Sequence, residues 1–523
     1  MKTKFAYIIL LLVPVVLMAQ QEFHVFPADH YKSPGTQAGD GSLTSPWDLQ
    51  TALSQPNSVV NGGDTIWLHG GTYTGRFIST INSTKPDKKI LVSSISGERV
   101  TLNGNTKSAR KSVLEVQGAR VRYQNFEITF LGDYDRHFGQ PGFQKVNGLF
   151  HTLGEDCEFS GLRIHNNPGV GVGSWKATGG TIIEFCKVYN NGHLRKKKGV
   201  GEGFYVQNQS DKERIIRNNF IFNNYYKGIE VWSASSGVGF EFVKNVRLEN
   251  NIIFNNGTPA GKHVDNLIIA SDDKEGINVA RNIKVLNNVL YHNINHEDNS
   301  NYGHGASLTL GYNFKSPVRD IVVNDNLIIG KNNALRLFHV KSMNFKRNTI
   351  YSGYVNFFNS TLNSINKDSW AVSNNNYYTR KFKAFRVIKT RDFSLDEWQK
   401  EYKTELHSEW NPLKNFKMNK ALYIEKSPDN PKSYEIAVLN SEAKSVQVDF
   451  TSSGIEENTN YKILDLASGD IIESGQLKSN KQIEIKPGNH NGTALNFGVY
   501  TIEFEEVSKK RKSLFERLFG WIF

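Results

Sequence analysis

Short apolar runs ending in asparagine recur through the middle of the chain: FSGLRIHNN (159–167), IEFCKVYNN (183–191), IRNNFIFNN (216–224), LENNIIFNN (248–256) and VLNNVLYHN (285–293). Fainter copies follow at VNDNLIIGK (323–331) and FKRNTIYSG (345–353). Within each copy apolar residues fall at alternate positions, the pattern of a strand with one buried face. Successive copies start 24, 33, 32, 37, 38 and 22 residues apart. The short spacings fit one turn of a stacked coil, and the long ones fit the same coil with an insertion at a corner. A leucine-rich solenoid or a propeller would keep a steadier period. No single coil can bury its own apolar face, so the coils must pile up. The asparagines can turn the chain and hydrogen-bond to their counterparts above and below.

A second strand lies between the copies in each coil: GVGVGSW, GEGFYVQN, GIEVWSA, NLIIASD, ASLTLGY and ALRLFHV. These six predict one continuous parallel sheet. Ahead of them, residues 46–55 predict a short amphipathic cap, and DTIWLHGGTY the first strand. Cap, GDTI…GGTY strand and asparagine-ended coils together resemble the right-handed parallel β-helix proteins of the pectin-lyase-like superfamily, over roughly residues 24–370. The resemblance implies the fold and leaves the reaction open, because that superfamily holds lyases, hydrolases, epimerases and non-enzymatic adhesins.

After the coils, SLDEWQKEY (394–402) predicts a short capping helix. From about residue 415 the pattern changes to alternating strands such as SYEIAVLN, SVQVDF, YKILDL and VYTIEFE, which predict a small antiparallel β-sandwich. The expected fold is therefore all-β: a right-handed parallel β-helix followed by that sandwich. The expected domains are a signal peptide (1–20), a β-helix with its N-terminal cap (21–380), a capping or linking segment (381–414), the sandwich (415–507) and a basic amphipathic tail (508–523).

Composition adds the compartment. Lys2 and Lys4, an apolar run and small Ala19 read as a secretory signal, so the protein is expected to be exported to the periplasm, the cell surface or the medium. Cys157 and Cys186 sit in apolar runs and read as buried free thiols, and no Cys/His spacing suggests zinc. Of the net charge of +12, two charges leave with the signal and four reside in the tail, so the body carries +6. That bias suits an anionic partner and is no nucleic-acid footprint. In KKRKSLFERLFGWIF (509–523), apolar residues at helical spacing follow a basic cluster. This predicts a peripheral membrane or partner anchor, the alternative being a tail docked on the body.

Alternation also predicts a site. With Phe204 and Val206 facing the core, Tyr205 and Gln207 face out; in the next coil Glu230 and Trp232 do so. Ser307 and Thr309, then Arg336 and Phe338, follow on the same face. Aromatics, a carboxylate, an amide and an arginine together predict a substrate groove, whereas a solvated face would be richer in Thr, Ser, Lys and Glu. Insertions at 130–147, 192–200, 257–264 and 294–305 belong beside it. Arg195, Lys196, Lys197 and Lys198 predict a basic corner loop over this groove; an ordinary solvated loop is the plainer alternative. GEGFYVQN resembles a subset of the superfamily that carries a glycine- and histidine-rich run before a Tyr–x–Gln–Asn strand, with Val200 and Glu202 where the histidines would stand.

Two reactions fit these residues. β-Elimination on a uronate-containing polysaccharide needs a cation to neutralise the uronate carboxylate, a base for the C5 proton and a donor for the leaving oxygen. Arg336 or the Lys196–Lys198 loop would neutralise, Lys227 or His304 would take the proton and Tyr205 would donate, with Glu202, Gln207 and Trp232 holding substrate. Lys227 also has the plainer reading of a solvated lysine. Hydrolysis needs two carboxyl groups across the glycosidic bond, from Glu202 and Glu230 or from Asp272 and Asp273. The SDD at 271–273 and GHG at 303–305 resemble motifs of polygalacturonases, although the upstream Asn-Thr-Asp is absent and RLFHVK replaces the compact Arg-x-Lys. Asp272, Asp273 and Glu275 offer oxygen ligands for calcium, or form an acidic turn; no metal ligands are assigned and the cofactor is left unknown. A non-catalytic carbohydrate-binding surface is the third reading. The expected partner is an acidic polysaccharide, with no nucleic acid, a membrane contact through 509–523 and a monomeric chain.

Overall fold

The computed structural model describes residues 20–233, 239–294, 305–428, 430–488 and 496–505. Residues 1–19 of the expected signal peptide, the tail at 509–523 and His304 lie outside the described residues. Three sheets of twelve strands each dominate the molecule. Each coil visits them in the same order. One coil runs Arg214–Arg217, Phe220–Phe222, Ile229–Ser233, and the next runs Lys244–Glu249, Ile252–Phe254, Leu267–Ser271. Neighbouring coils pair in parallel. This is a parallel β-helix, as the repeat predicts.

The asparagine pairs have a division of labour. The first of each pair, such as Asn218, Asn250 and Asn287, turns the corner from the first sheet to the second at positive φ (57°, 54° and 53°), a conformation its short polar side chain tolerates. The second points inward and stacks. Asn219 Nδ2 donates to Asn251 Oδ1 (2.9 Å), Asn251 to Asn288 (3.0 Å), Asn288 to Asn326 (3.1 Å), Asn326 to Asn348 (3.0 Å) and Asn348 to Asn375 (3.1 Å). A second ladder, Asn167–Asn191–Asn224–Asn256–Asn266, lines the corner between the second and third sheets. These amides satisfy the buried corner backbone that no strand partner reaches. Two third-sheet strands, Phe204–Val206 and Ile229–Ser233, are preceded by glycine for the same reason. A Cβ on Gly203 would lie 2.8 Å from the Asn224 amide nitrogen, and one on Gly228 2.6 Å from that of Asn256.

Both ends differ in detail from the sequence reading. DTIWLHGGTY is two strands, Thr65–Leu68 in the first sheet and Gly71–Thr74 in the second, because Gly71 turns the corner at φ 135°. The first sheet starts earlier, with Glu22–Val25. The cap helix Leu49–Ala52 follows, held by the Asp48 side chain. At the far end Phe385–Val387, Arg391–Phe393 and Glu409–Pro412 still join the sheets, within the stretch expected only to cap and link. Leu395–Tyr402 is helical, started by a Ser394/Glu397 capping box, and turns Trp398 onto Phe357 and Phe385.

Beyond lie a five-stranded and a two-stranded antiparallel sheet that share a buried cluster including Ile436, Val448, Ile483 and Phe504. The five-stranded sheet covers the outer face of the second sheet, where Phe222, Ile252, Phe254 and Tyr291 pack with Leu439, Phe497 and Val499. That docking explains why FIF, IIF and VLY are apolar at every position: both of their faces are buried. Lys187 pairs with buried Glu435 at 2.5 Å across the same interface. The third sheet's outer face is left open. Cys157 and Cys186 are buried free thiols, as expected.

Candidate functional site

Five neighbouring strands of the third sheet build the site: Phe204–Val206, Ile229–Ser233, Leu267–Ser271, Leu308–Leu310 and Leu335–Leu337. Parallel pairing sets Tyr205, Glu230, Ile268, Thr309 and Arg336 level across the sheet. The outward positions expected from alternation are thus gathered into one row. Three residues earlier in each strand a second level row contains Glu202, Lys227 and Asp265. Lys227 lies at its centre and is 8% exposed, with Glu230 at 5%.

Lys227 is packed among charges and rings. Its ammonium bonds the Glu230 carboxylate and lies 4.8 Å from the Tyr226 ring and 5.2 Å from that of Trp232. Burial works to lower its proton affinity, but Glu230, Tyr226 and Asp265 outweigh that and hold it above the ordinary lysine value. Glu202 hydrogen-bonds Glu230; burial first, then the Glu230 charge, pushes its pKa up to about 8, so the proton of this carboxyl pair resides on Glu202 at neutral pH. Burial and the same two carboxyls push the Tyr205 phenol up to about 12. The resting site therefore holds an ammonium, a carboxylate, a carboxylic acid and a phenol. Thr309 Oγ1 donates to Asp265 Oδ1 (2.6 Å), and Arg336 Nη1 stands 3.7 Å from the same oxygen.

A cavity of about 350 Å³ opens beside this group, lined by Lys198, Tyr226, Lys227, Lys262, His263, Asp265 and Arg336 among others. Four cations stand against Asp265 and the Glu230 carboxylate bound to Lys227, a positive excess that suits the cavity to an anion. Lys198 comes from the basic run, which is a two-stranded hairpin, His193–Arg195 with Lys198–Val200, that turns at Lys196 with φ 56°. Lys196 and Lys197 are exposed at its tip, and Arg195 lies over the Phe138 ring. Gly199 lets the hairpin press on the Tyr225 carbonyl, which a Cβ would meet at 1.7 Å. A larger groove of about 680 Å³ crosses the first sheet's outer face. Its lysine, Lys284, is half-exposed and already paired with Glu213 at 2.8 Å, so it lacks the desolvated charge found around Lys227.

The remaining candidates have structural partners of their own. Gln207 donates to the Trp232 carbonyl (3.2 Å) and so braces two strands. Asp273 is buried and accepts three backbone N–H groups, from Glu275, Ile277 and Asn278. Asp272 accepts from Asn313 Nδ2 (2.8 Å). The SDD stretch is thus the acidic turn rather than a calcium cage. Among the described residues no group of three or more His, Cys, Asp or Glu could hold a metal.

Sequence reasoning missed Asp265, Lys262 and His263. Stacking EGF, KGI and DNL on their first inward residues would have shown a Glu–Lys–Asp column, and so Asp265. Lys262 and His263 sit in the 257–264 insertion and carried no signal of their own.

No protein-family model matches the chain. Over 250 residues it is 24% identical to the pectate lyase PEL9 of Emericella nidulans, a stretch covering 45% of this chain and 58% of that one. The match therefore spans less than two thirds of the relative's length. Among solved structures it is similar to the A-module of the Azotobacter vinelandii mannuronan C-5 epimerase AlgE4, with TM-score 0.44 and 12% identity over 75% of this chain and 96% of that one. It is also similar to the pectate lyase Pel9A, with TM-score 0.40 and 16% identity over 65% and 74%. Likenesses at these scores do not speak to chemistry.

Proposed function

We propose that this protein is an exported enzyme that depolymerises an acidic, uronate-containing polysaccharide by β-elimination. The observation that carries the proposal is the cationic cavity placed against a buried Lys227–Glu230–Glu202 group. A uronate carboxylate in that cavity would be neutralised by Lys198, Lys262 and Arg336, which acidifies the C5 proton. Lys227, held as an ammonium, adds to that field instead of acting as the base. We assign the base to His263 on the cavity wall, whose imidazole can accept a proton from a uronate held there. As C5 loses its proton, the C4–O bond breaks, a C4–C5 double bond forms and the Tyr205 phenol protonates the leaving oxygen. The similarity to a pectate lyase supports the same reaction class.

The hydrolytic reading has less support. Glycosidase carboxyls stand roughly 5–9.5 Å apart across the bond they cleave. Glu202 and Glu230 instead hydrogen-bond each other, and Asp273 is committed to its turn. Incubation with a panel of polyuronates and glycosaminoglycans tests the proposal. Elimination yields products with ultraviolet absorbance, lost in His263→Ala and Tyr205→Phe. New reducing ends without absorbance would indicate hydrolysis, and binding with neither signal would indicate a non-catalytic surface.

A further inference from the structure

The two sides of the Tyr205–Glu230 row are chemically unlike. Towards the strand starts lie Lys198, Lys227 and Lys262. Towards the strand ends lies a run of rings. Trp175 lies 5.4 Å from Tyr205, and Trp232 meets Tyr312 edge-on at 4.9 Å. Phe314, His339 and Phe358 follow, His339 standing 6.5 Å from the first and 5.2 Å from the second. Tyr312 is 55% exposed and Phe314 67%, although burial would be the ordinary fate of such rings. The nearby cations do not form a counterpart to the cavity. Lys176 lies 5.0 Å from both the Phe240 and Phe242 rings, and Lys315 is exposed to solvent.

Resting on the elimination reading, we infer that the substrate is a heteropolysaccharide in which a uronate alternates with an uncharged sugar. A polymer laid across the strands puts one carboxylate in the cavity and the next sugar on the rings. Pyranose rings stack their apolar C–H faces on aromatic rings, which rewards an uncharged neighbour. A homopolyuronate would bring a second carboxylate onto the rings, where no cavity of cations among the described residues receives it. The segregation of charge and rings therefore selects for alternation.

The test compares kinetics on hyaluronan and unsulfated chondroitin with those on polygalacturonate, for the full chain and for Tyr312→Ala and Phe314→Ala. Both rings are exposed, so neither truncation threatens the fold. The inference expects a higher kcat/KM on the alternating polymers. Each truncation should raise KM there about five-fold, the worth of one aromatic contact, while kcat and the polygalacturonate values hold. Equal or faster cleavage of polygalacturonate, or KM values blind to both truncations, overturns it. Absorbance from none of the polymers removes the elimination reading instead. Retardation in gels containing each polymer then decides the inference: Tyr312-dependent retention by the alternating polymers alone supports it, and equal retention overturns it.

Discussion

Removing the Lys227 charge should destabilise the protein far more than removing the Lys227–Glu230 pair. Their side chains are 10% and 6% exposed, so neither charge is hydrated enough to stand alone. Lys227→Met leaves Glu230 facing Glu202 with no counter-charge, and Glu230→Gln leaves a buried ammonium. Breaking such a pair from one side costs about 3–5 kcal/mol, whereas replacing both partners is often close to neutral. The double variant should therefore lie within about 1–2 kcal/mol of wild type, a coupling of roughly 4–9 kcal/mol between the two sites. Urea denaturation followed by tryptophan fluorescence at pH 5 and pH 8 measures all four proteins. Single variants that each cost under about 1 kcal/mol and add in the double would refute the desolvated pair, since exposed pairs behave that way.

Three further outcomes follow from the same contacts. Glu202 binds its proton more tightly folded than unfolded, so it lowers stability as pH rises from the ordinary carboxyl range to about 8; Glu202→Gln should leave stability unchanged at pH 4 and raise it at pH 8, read as Tm. Asn251→Ala strips a rung whose neighbours, the Asn219 amide, the Ile216 carbonyl and the Asn288 side-chain oxygen, are buried, and should cost about 3–5 kcal/mol in urea unfolding, three groups losing a partner plus a cavity. Tyr205→Phe should abolish turnover while polymer retardation in gels persists, because only the donated proton is lost.

How much was legible follows from where the information lies. The coils could be read because each Asn–Asn pair does two local jobs, a left-handed corner and an inward rung, and both recur in register at 218–219, 250–251 and 287–288. The outward row could be read because alternation alone sets which side chains leave the core. Glu202 and Glu230 could be put forward as two carboxyls flanking a bond, but not as hydrogen-bonded to each other, since that depends on residues in adjacent coils at different levels meeting above the sheet. For Lys227 a solvated lysine was one open alternative; its burial is created by Tyr226, Trp232 and the carboxylates around it, none of which a strand pattern ranks. The boundary near residue 380 was blurred because the last strands, Phe385–Val387 and Glu409–Pro412, lack the asparagine signature that marks the others.

The most direct test of the central claim is to digest the polymer that the protein cleaves best in water labelled with heavy oxygen and to weigh the products. Elimination takes no oxygen from solvent: in short digests reduced with borohydride before the new hemiacetals exchange, every product should be unlabelled, and each new non-reducing end should be lighter by one water. Incorporation of one labelled oxygen at each cleavage, with no loss of water, would contradict elimination.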